Sequence, residues 1–223
     1  MKSKKKLLRK LSLYVILDKK VCAHKPLLNI VNKIKKAGVG IVQLRDKISD
    51  KETVFKDTQM LLNQLLNSKS VFIINDYVDI AKILDTDGIH LGQDDISIGI
   101  ARKILGKDKI IGISCHNLKQ AVRAQTKGAD YISIGPIFAT STKPKPKAIG
   151  LDLIKKIIRK IKIPFFVIGG INENNIGEVL SEGAKRVAVS KAICQAKDIS
   201  SAATNFLKKL SEHISYGGSY KVS

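Results

Sequence analysis

The sequence predicts a single-domain (β/α)8 barrel, the TIM-barrel architecture. Three observations predict it. Short β-branched runs recur eight times, helical patterns lie between them, and the runs are apolar without strict alternation. Continuous apolar strands belong to parallel sheets buried on both faces. Eight is the number that closes such a sheet, which favours a barrel over an open doubly wound sheet.

The strands are read in order as Leu13 to Leu17, Val39 to Leu44, Val71 to Ile74, Gly88 to Leu91, Lys109 to Ile113, Tyr131 to Ile134, Phe165 to Ile168 and Arg186 to Val189. Pro26 to Ala37 reads as a helix, with Pro at its start and Gly38 as its C-cap. Lys51 to Leu66 carries Val54, Phe55, Leu61, Leu62, Leu65 and Leu66 near the helical period. Asn117 to Lys127 opens on an N-cap Asn and closes at Gly128, and Asn172 to Glu182 repeats the plan with Gly183. The phrases around Gly38, Gly128 and Gly183 are one helix-to-strand connector used three times. Residues 1–12 read as a basic N-terminal extension, 13–214 as the catalytic barrel and 215–223 as a flexible tail. The segment Gly135 to Gly150 is long, basic and proline-containing; loops of that length in compact domains are functional lids or disordered.

Composition narrows the function. A chain of 223 residues, 44% hydrophobic, has the material for a substantial core. It holds no apolar run long enough to span a membrane. Met1 to Lys10 is basic without a long apolar stretch, so it does not read as a secretory signal. Cys22, Cys115 and Cys194 are an odd, widely spaced set without metal-ligand spacing, which fits a reducing cytoplasm. The net charge of +21 raises nucleic acid as a partner. Against it stand the excess of Lys over Arg, its spread along the chain, and an aromatic content of 5% with no stacking pattern. A positive field also steers anionic small molecules to a site. The oligomeric state stays open, a homo-oligomer among the alternatives.

Every polar cluster of interest falls just after a strand, on the face where such barrels keep their sites. Asp76 closes Ile74-Asn75-Asp76, and Asp95 closes His90-Leu91-Gly92-Gln93-Asp94-Asp95. Carboxylates at the ends of neighbouring strands can share a Mg2+, a hard cation that also keeps waters and substrate phosphates. Gln43-Leu44-Arg45-Asp46-Lys47 follows the second strand, with Gln43, Arg45 and Lys47 on one side by alternation. Ser114-Cys115-His116 follows the fifth; adjacent residues point apart, so Cys115 and His116 do not form a nucleophilic pair. Thr140, Ser141, Thr142 and Lys143 follow the sixth as candidates for holding an anion. Gly169-Gly170 after the seventh and Ser190-Lys191 after the eighth offer the backbone amides of a phosphate site.

The ordered set Gln-Leu-Arg-Asp-Lys, Ile-Asn-Asp, His-Leu-Gly-Gln-Asp-Asp, Gly-Ile-Ser-Cys-His, Gly-Pro-Ile-Phe-Ala-Thr-Ser-Thr-Lys and Ile-Gly-Gly-Ile resembles the thiamine phosphate synthase family from about Leu13 to about Lys197. The resemblance implies Mg2+-dependent joining of a hydroxymethylpyrimidine diphosphate to a hydroxyethylthiazole phosphate, with pyrophosphate released from a carbocation-like step. It assigns Gln43, Leu44, Arg45, Asp46, Lys47 and Asn75 to the pyrimidine diphosphate, His90 to substrate binding, and Asp76 and Asp95 to Mg2+. Ser114 and Lys143 meet the diphosphate, and Arg45, Lys47, Ser114 and Lys143 form the catalytic set. Thr140, Ser141, Thr142, Gly170, Ser190 and Lys191 fall to the thiazole phosphate. Lys191 departs from the family, which usually carries Ser there. The alternatives are the sister thiazole tautomerases on the same barrel and a basic nucleic-acid-binding protein with a decayed site.

Overall fold

The computed structural model describes residues 4–140 and 148–216. Its strands are β1 Leu13–Asp18, β2 Ile41–Arg45, β3 Val71–Asn75, β4 Gly88–Leu91, β5 Ile110–Cys115, β6 Tyr131–Ile134, β7 Phe165–Ile168 and β8 Val187–Val189. They close into a barrel in chain order, each parallel to the next, and β8 pairs back with β1. The helices among the described residues are α1 Lys4–Leu8, α2 Leu27–Lys36, α3 Lys51–Leu65, α4 Val78–Ile83, α5 Ile98–Leu105, α6 Leu118–Thr126, α7 Asp152–Lys160, α8 Ile176–Ser181, α9 Lys191–Cys194 and α10 Ile199–Tyr216. The (β/α)8 barrel expected from the sequence is the fold observed.

Alternation along the strands divides the apolar residues into two cores. Leu13, Val15 and Leu17 of β1 face the helices, with Val42, Leu44, Phe72, Ile74 and their counterparts around the ring. Tyr14 and Ile16 fill the barrel with Ile41, Val71, Ile73, Ile110, Tyr131, Phe166 and Ala188. Burying one such aliphatic side chain stabilises the fold by about 1.5–3 kcal/mol. Inside the barrel Tyr14, Tyr131 and Phe166 meet pairwise edge to face, with ring centroids 5.3–5.9 Å apart. Gly112 of β5 makes room for them, because a β-carbon there would lie 2.0 Å from Tyr131 Cζ.

The helix ends follow local chemistry. Asp50 and Asn117 cap α3 and α6 by accepting from Thr53 N and Gln120 N. Gly38, Gly128 and Gly183 take φ of 86–87°, so the repeated connector is one conformation used three times. Pro26 stands one residue outside α2, as its N-cap. The helix expected from Asn172 starts only at Ile176. Asn172 Oδ1 accepts from Asn174 N and Asn175 Oδ1 from Asn172 N, so side chains take the amides that a first helical turn would leave free.

The basic residues before β1 contain α1, which closes the N-terminal end of the barrel. Leu8 is buried in the inner core. Lys4 donates to Ser70 O at 2.6 Å and pairs with Asp87, while Lys5 pairs with Asp130 at 2.9 Å. All these partners immediately precede inner strands. Leu8→Ala is therefore expected to cost about 2–4 kcal/mol, as for other buried leucines. Urea unfolding measures this, and a loss below about 0.5 kcal/mol would show that the barrel end is closed without α1.

Candidate active site

The C-terminal ends of the strands surround a cavity of about 660 Å³. Its floor is polar although it lies inside the barrel. Gln43 Nε2 donates to Tyr14 Oη, and the Tyr14 and Tyr131 hydroxyls are 2.9 Å apart. Tyr131 Oη is 2.9 Å from His90 Nδ1, and His90 Nε2 is 2.9 Å from Ser114 Oγ. All five side chains are buried inward-facing residues of β1, β2, β4, β5 and β6. Burial raises both phenols above their ordinary range, so both keep their protons.

Above the floor stands Arg45, whose guanidinium pairs with Asp18 at the end of β1. Asp18 is held in turn by the amides of Lys20 and Val21 at 3.1 and 3.2 Å. A carboxylate fixed by two amides orients the guanidinium, and both residues line the cavity. Asn75 lines the cavity beside them, and the next residue, Asp76, takes φ of 67°. That backbone is uncommon outside glycine. Asp76 N donates to His90 O at 2.9 Å, which ties the bend to β4.

Asp76 and Asp95 hydrogen-bond one another, and Lys47 pairs with Asp76. Burial, then the neighbouring Asp95, pushes the Asp76 carboxyl up to about 6. Asp95 is held low: its burial is outweighed by bonds from Asp76 and from Gly92 N at 2.6 Å, and by the charge on Lys47. The two groups thus share a proton that Asp76 holds. Asp76 Oδ2 is buried with an ion pair but no oriented hydrogen bond. An oxygen pair of this kind suits a hard divalent cation that completes its shell with water and substrate phosphate. Among the described residues no cluster of three or more His, Cys, Asp or Glu offers a fuller cage.

The opposite wall, four strands around the ring, is built from β7 and β8. Gly170 takes φ of 69°, and a β-carbon there would lie 2.6 Å from Ala139 O, so only glycine fits. Ser190, Lys191 and Gly170 line this wall with Thr140. Ser190 Oγ is buried beside the weak thiol of Cys194.

The family profile described as thiamine monophosphate synthase matches residues 13–193. The chain belongs to the thiamine monophosphate synthase family. It is 44% identical over 199 residues to thiamine-phosphate synthase of Clostridium botulinum, covering 87% of this chain and 96% of that one. To thiamine-phosphate synthase of Thermosynechococcus vestitus it is 42% identical over 186 residues, 83% of this chain. The chain spans about half the length of that relative, 53%. The solved structure of thiamine phosphate pyrophosphorylase from Pyrococcus furiosus superposes with a TM-score of 0.84 at 34% identity, covering 93% of this chain and 99% of that one.

The cavity brings together Gln43, Arg45, Asn75, His90, Ser114, Thr140, Gly170, Ser190 and Lys191. Lys47, Asp76 and Asp95 group at the neighbouring ends of β2, β3 and β4. Two expected residues point elsewhere. Leu44 is buried in the outer core, because it lies one residue out of phase with Gln43 and Arg45. Asp46 turns back to accept from Ile48 N and Ser49 N at 2.9 and 3.0 Å, so it shapes the loop and does not line the cavity. Ser141, Thr142 and Lys143 lie outside the described residues. Cys115 and His116 diverge as expected: the thiol sits in the outer core, pushed up to about 12 by burial, and His116 Nδ1 donates to Gly135 O at 2.6 Å. Sequence reasoning missed Asp18, Tyr14 and Tyr131. Asp18 had a signal, the inward phase of Tyr14 and Ile16 continued two residues further.

The raised Asp76 carboxyl makes stability depend on pH. From about 3.8 to about 6 the folded chain binds the proton that the unfolded chain has released, so stability falls as pH rises through that window. In chelator, the stability difference between Asp76→Asn and the parent should therefore move in the variant's favour from about pH 4 to about pH 7. Urea midpoints across that range test it; a flat difference would mean that the two carboxyls do not share a proton.

Proposed function

We propose that this chain is a thiamine-phosphate synthase. It joins 4-amino-2-methyl-5-pyrimidinylmethyl diphosphate to hydroxyethylthiazole phosphate, giving thiamine phosphate and pyrophosphate. One observation supports the reading beyond family membership: a single cavity is lined by an arginine at the end of β2 and, separately, by strand-end residues of β7 and β8 with a lysine among them. Arg45, with Lys47 close by, serves the β2–β4 side, and Gly170, Ser190 and Lys191 serve the β7–β8 side. Two phosphorylated substrates laid end to end need that arrangement.

The reaction needs charge neutralisation and positioning more than a protein nucleophile. Pyrophosphate leaves readily when its charge is compensated, and Arg45 and Lys47 supply fixed positive charge where it departs. Asp76 and Asp95 would hold Mg2+, which when bound supplies Lewis-acid neutralisation of the diphosphate. Gln43, Asn75, His90 and Ser114 orient the aminopyrimidine, whose electron-rich ring stabilises the methylene cation left behind. Ile16, Ile168, Ile171 and Val189 line the cavity and keep water from that cation. Backbone amides at Gly170 and Lys191 hold the thiazole phosphate so that its ring nitrogen faces the methylene carbon. The buried, proton-bearing Cys115 takes no part. Three free buried thiols fit a cytoplasmic enzyme, and among the described residues no helix is long and apolar enough to cross a membrane.

Incubation of the protein with both substrates and Mg2+, with detection of thiamine phosphate, is the direct test. Asp76→Ala and Asp95→Ala should each abolish turnover while circular dichroism stays unchanged. Activity surviving either loss at ordinary Mg2+ would remove the metal from these carboxylates.

Lys191 reaches this cavity with no ion pair of its own among the described residues. Its ammonium is free to meet the thiazole phosphate. Lys191→Ser should weaken that substrate by about 1–2 kcal/mol, the scale of one partly solvated charged hydrogen bond. Affinity for the pyrimidine diphosphate should stay nearly constant. Tighter thiazole phosphate binding would show that the side chain obstructs the pocket, and an effect on the diphosphate alone would place it in the other subsite.

A further inference from the structure

The hydrogen-bonded line across the barrel floor has a direction, and the direction sets which nitrogen of His90 carries its proton. Gln43 Nε2 stands at one end and can only donate, to Tyr14 Oη. Tyr14 is buried, and Tyr131 Oη at 2.9 Å is the acceptor within reach of its own hydrogen. Tyr131 in turn donates to His90 Nδ1 at 2.9 Å. Nδ1 is then an acceptor, and the imidazole proton sits on Nε2. That nitrogen faces Ser114 Oγ at 2.9 Å, with Ser133 Oγ at 3.4 Å. Ser114 accepts, so its own hydroxyl hydrogen is left for the cavity that it lines.

The surroundings keep the line in place. Gln43, Tyr14, Tyr131, His90, Ser114 and Ser133 are all less than a tenth exposed. Tyr131 is braced by Tyr14 and Phe166 edge to face, and a side chain at Gly112 would collide with it. A reversed line would have Gln43 Nε2 and Tyr131 both donating to Tyr14 Oη, and the buried Tyr14 hydrogen would lose its acceptor.

We propose that Tyr131 is a positioning residue: through the line begun at Gln43 it holds His90 as the Nε2–H tautomer, so that Ser114 presents a hydrogen-bond donor to the substrate. The matching ligand group is an unprotonated ring nitrogen or another neutral acceptor, as on an aminopyrimidine; this consequence rests on the proposed function. The tautomer itself does not.

The test uses the ligand-free protein labelled with 15N at its four histidines, with the His90 signal assigned by its loss in His90→Gln. Long-range proton–nitrogen correlation should show the Nε2–H pattern for His90. Tyr131→Phe conserves the ring and removes the hydroxyl, and Tyr14→Phe breaks the line one link further away. Each should move the His90 signals toward a mixture of tautomers. In turnover, Tyr131→Phe should raise the KM for the pyrimidine diphosphate about tenfold, the scale of one lost neutral hydrogen bond, and leave the KM for the thiazole phosphate unchanged. An Nδ1–H pattern in the parent, or His90 signals unmoved in both variants, would overturn the assignment. Equal KM increases for both substrates would overturn the positioning role. Because the spectroscopic arm needs no substrate, an absence of synthase turnover with the expected spectra would refute the proposed reaction and leave the tautomer standing.

Discussion

Side-chain alternation in a closed parallel sheet is the constraint on which the rest of this molecule depends. A barrel of eight strands has an inside only as wide as its own side chains. Every second residue of every strand must therefore be compatible with seven other strands at once. The inward series on β1, Tyr14, Ile16 and Asp18, shows the consequence. From near its N-terminal end to its C-terminal end the same phase passes from a packed ring to an apolar wall to an ion pair. Chemistry starts where packing ends, and one period of two residues sets both.

The inner core also shows why polar atoms lie so deep. Tyr14 and Tyr131 contribute aromatic faces to the packing and hydroxyls to the floor of the cavity. Buried hydroxyls without partners would cost about 1–3 kcal/mol each. Here each satisfies the next, and the last members, His90 and Ser114, reach the cavity. The cavity floor is therefore as rigid as the core beneath it, as the proposed positioning catalysis would require.

Much of this was legible in the sequence because it is periodic or local. Eight β-branched runs, three glycine connectors and polar clusters at strand ends are patterns within a few residues. Leu44 shows the limit of reading a motif as a block: inside Gln43 to Lys47 the strand phase turns it into the outer core while its neighbours face the cavity. Asp46 shows another, since a loop carboxylate bonds its own backbone before it reaches a ligand. The Tyr14–Tyr131 contact joins residues 117 positions apart on β1 and β6. No local pattern announces such a pair; it exists only once the barrel closes and Gly112 leaves the space. The α1 plug is hidden for a different reason: its lysines look solvated until the carboxylates of Asp87 and Asp130 are placed beneath them.

Charge around the cavity is arranged by the same logic of prior pairing. A chain of net charge +21 has cations in excess, yet Arg45 and Lys47 are each tied to a carboxylate, Asp18 and Asp76. A paired cation loses part of its pull on an anion and gains a fixed direction. The two pairs differ in what holds the acid. Asp18 is anchored by backbone amides and stays with Arg45, so that guanidinium is a permanent fixture of the wall. Asp76 sits on a left-handed backbone against a second carboxyl, a strained and crowded position of the kind that surrounding structure must hold in place. Its partner Lys47 is half exposed. The Asp76–Asp95 site thus keeps its electrostatic demand only partly met by the protein itself, which leaves a reason to take up a cation, whereas the Arg45–Asp18 pair has its demand met and serves to aim.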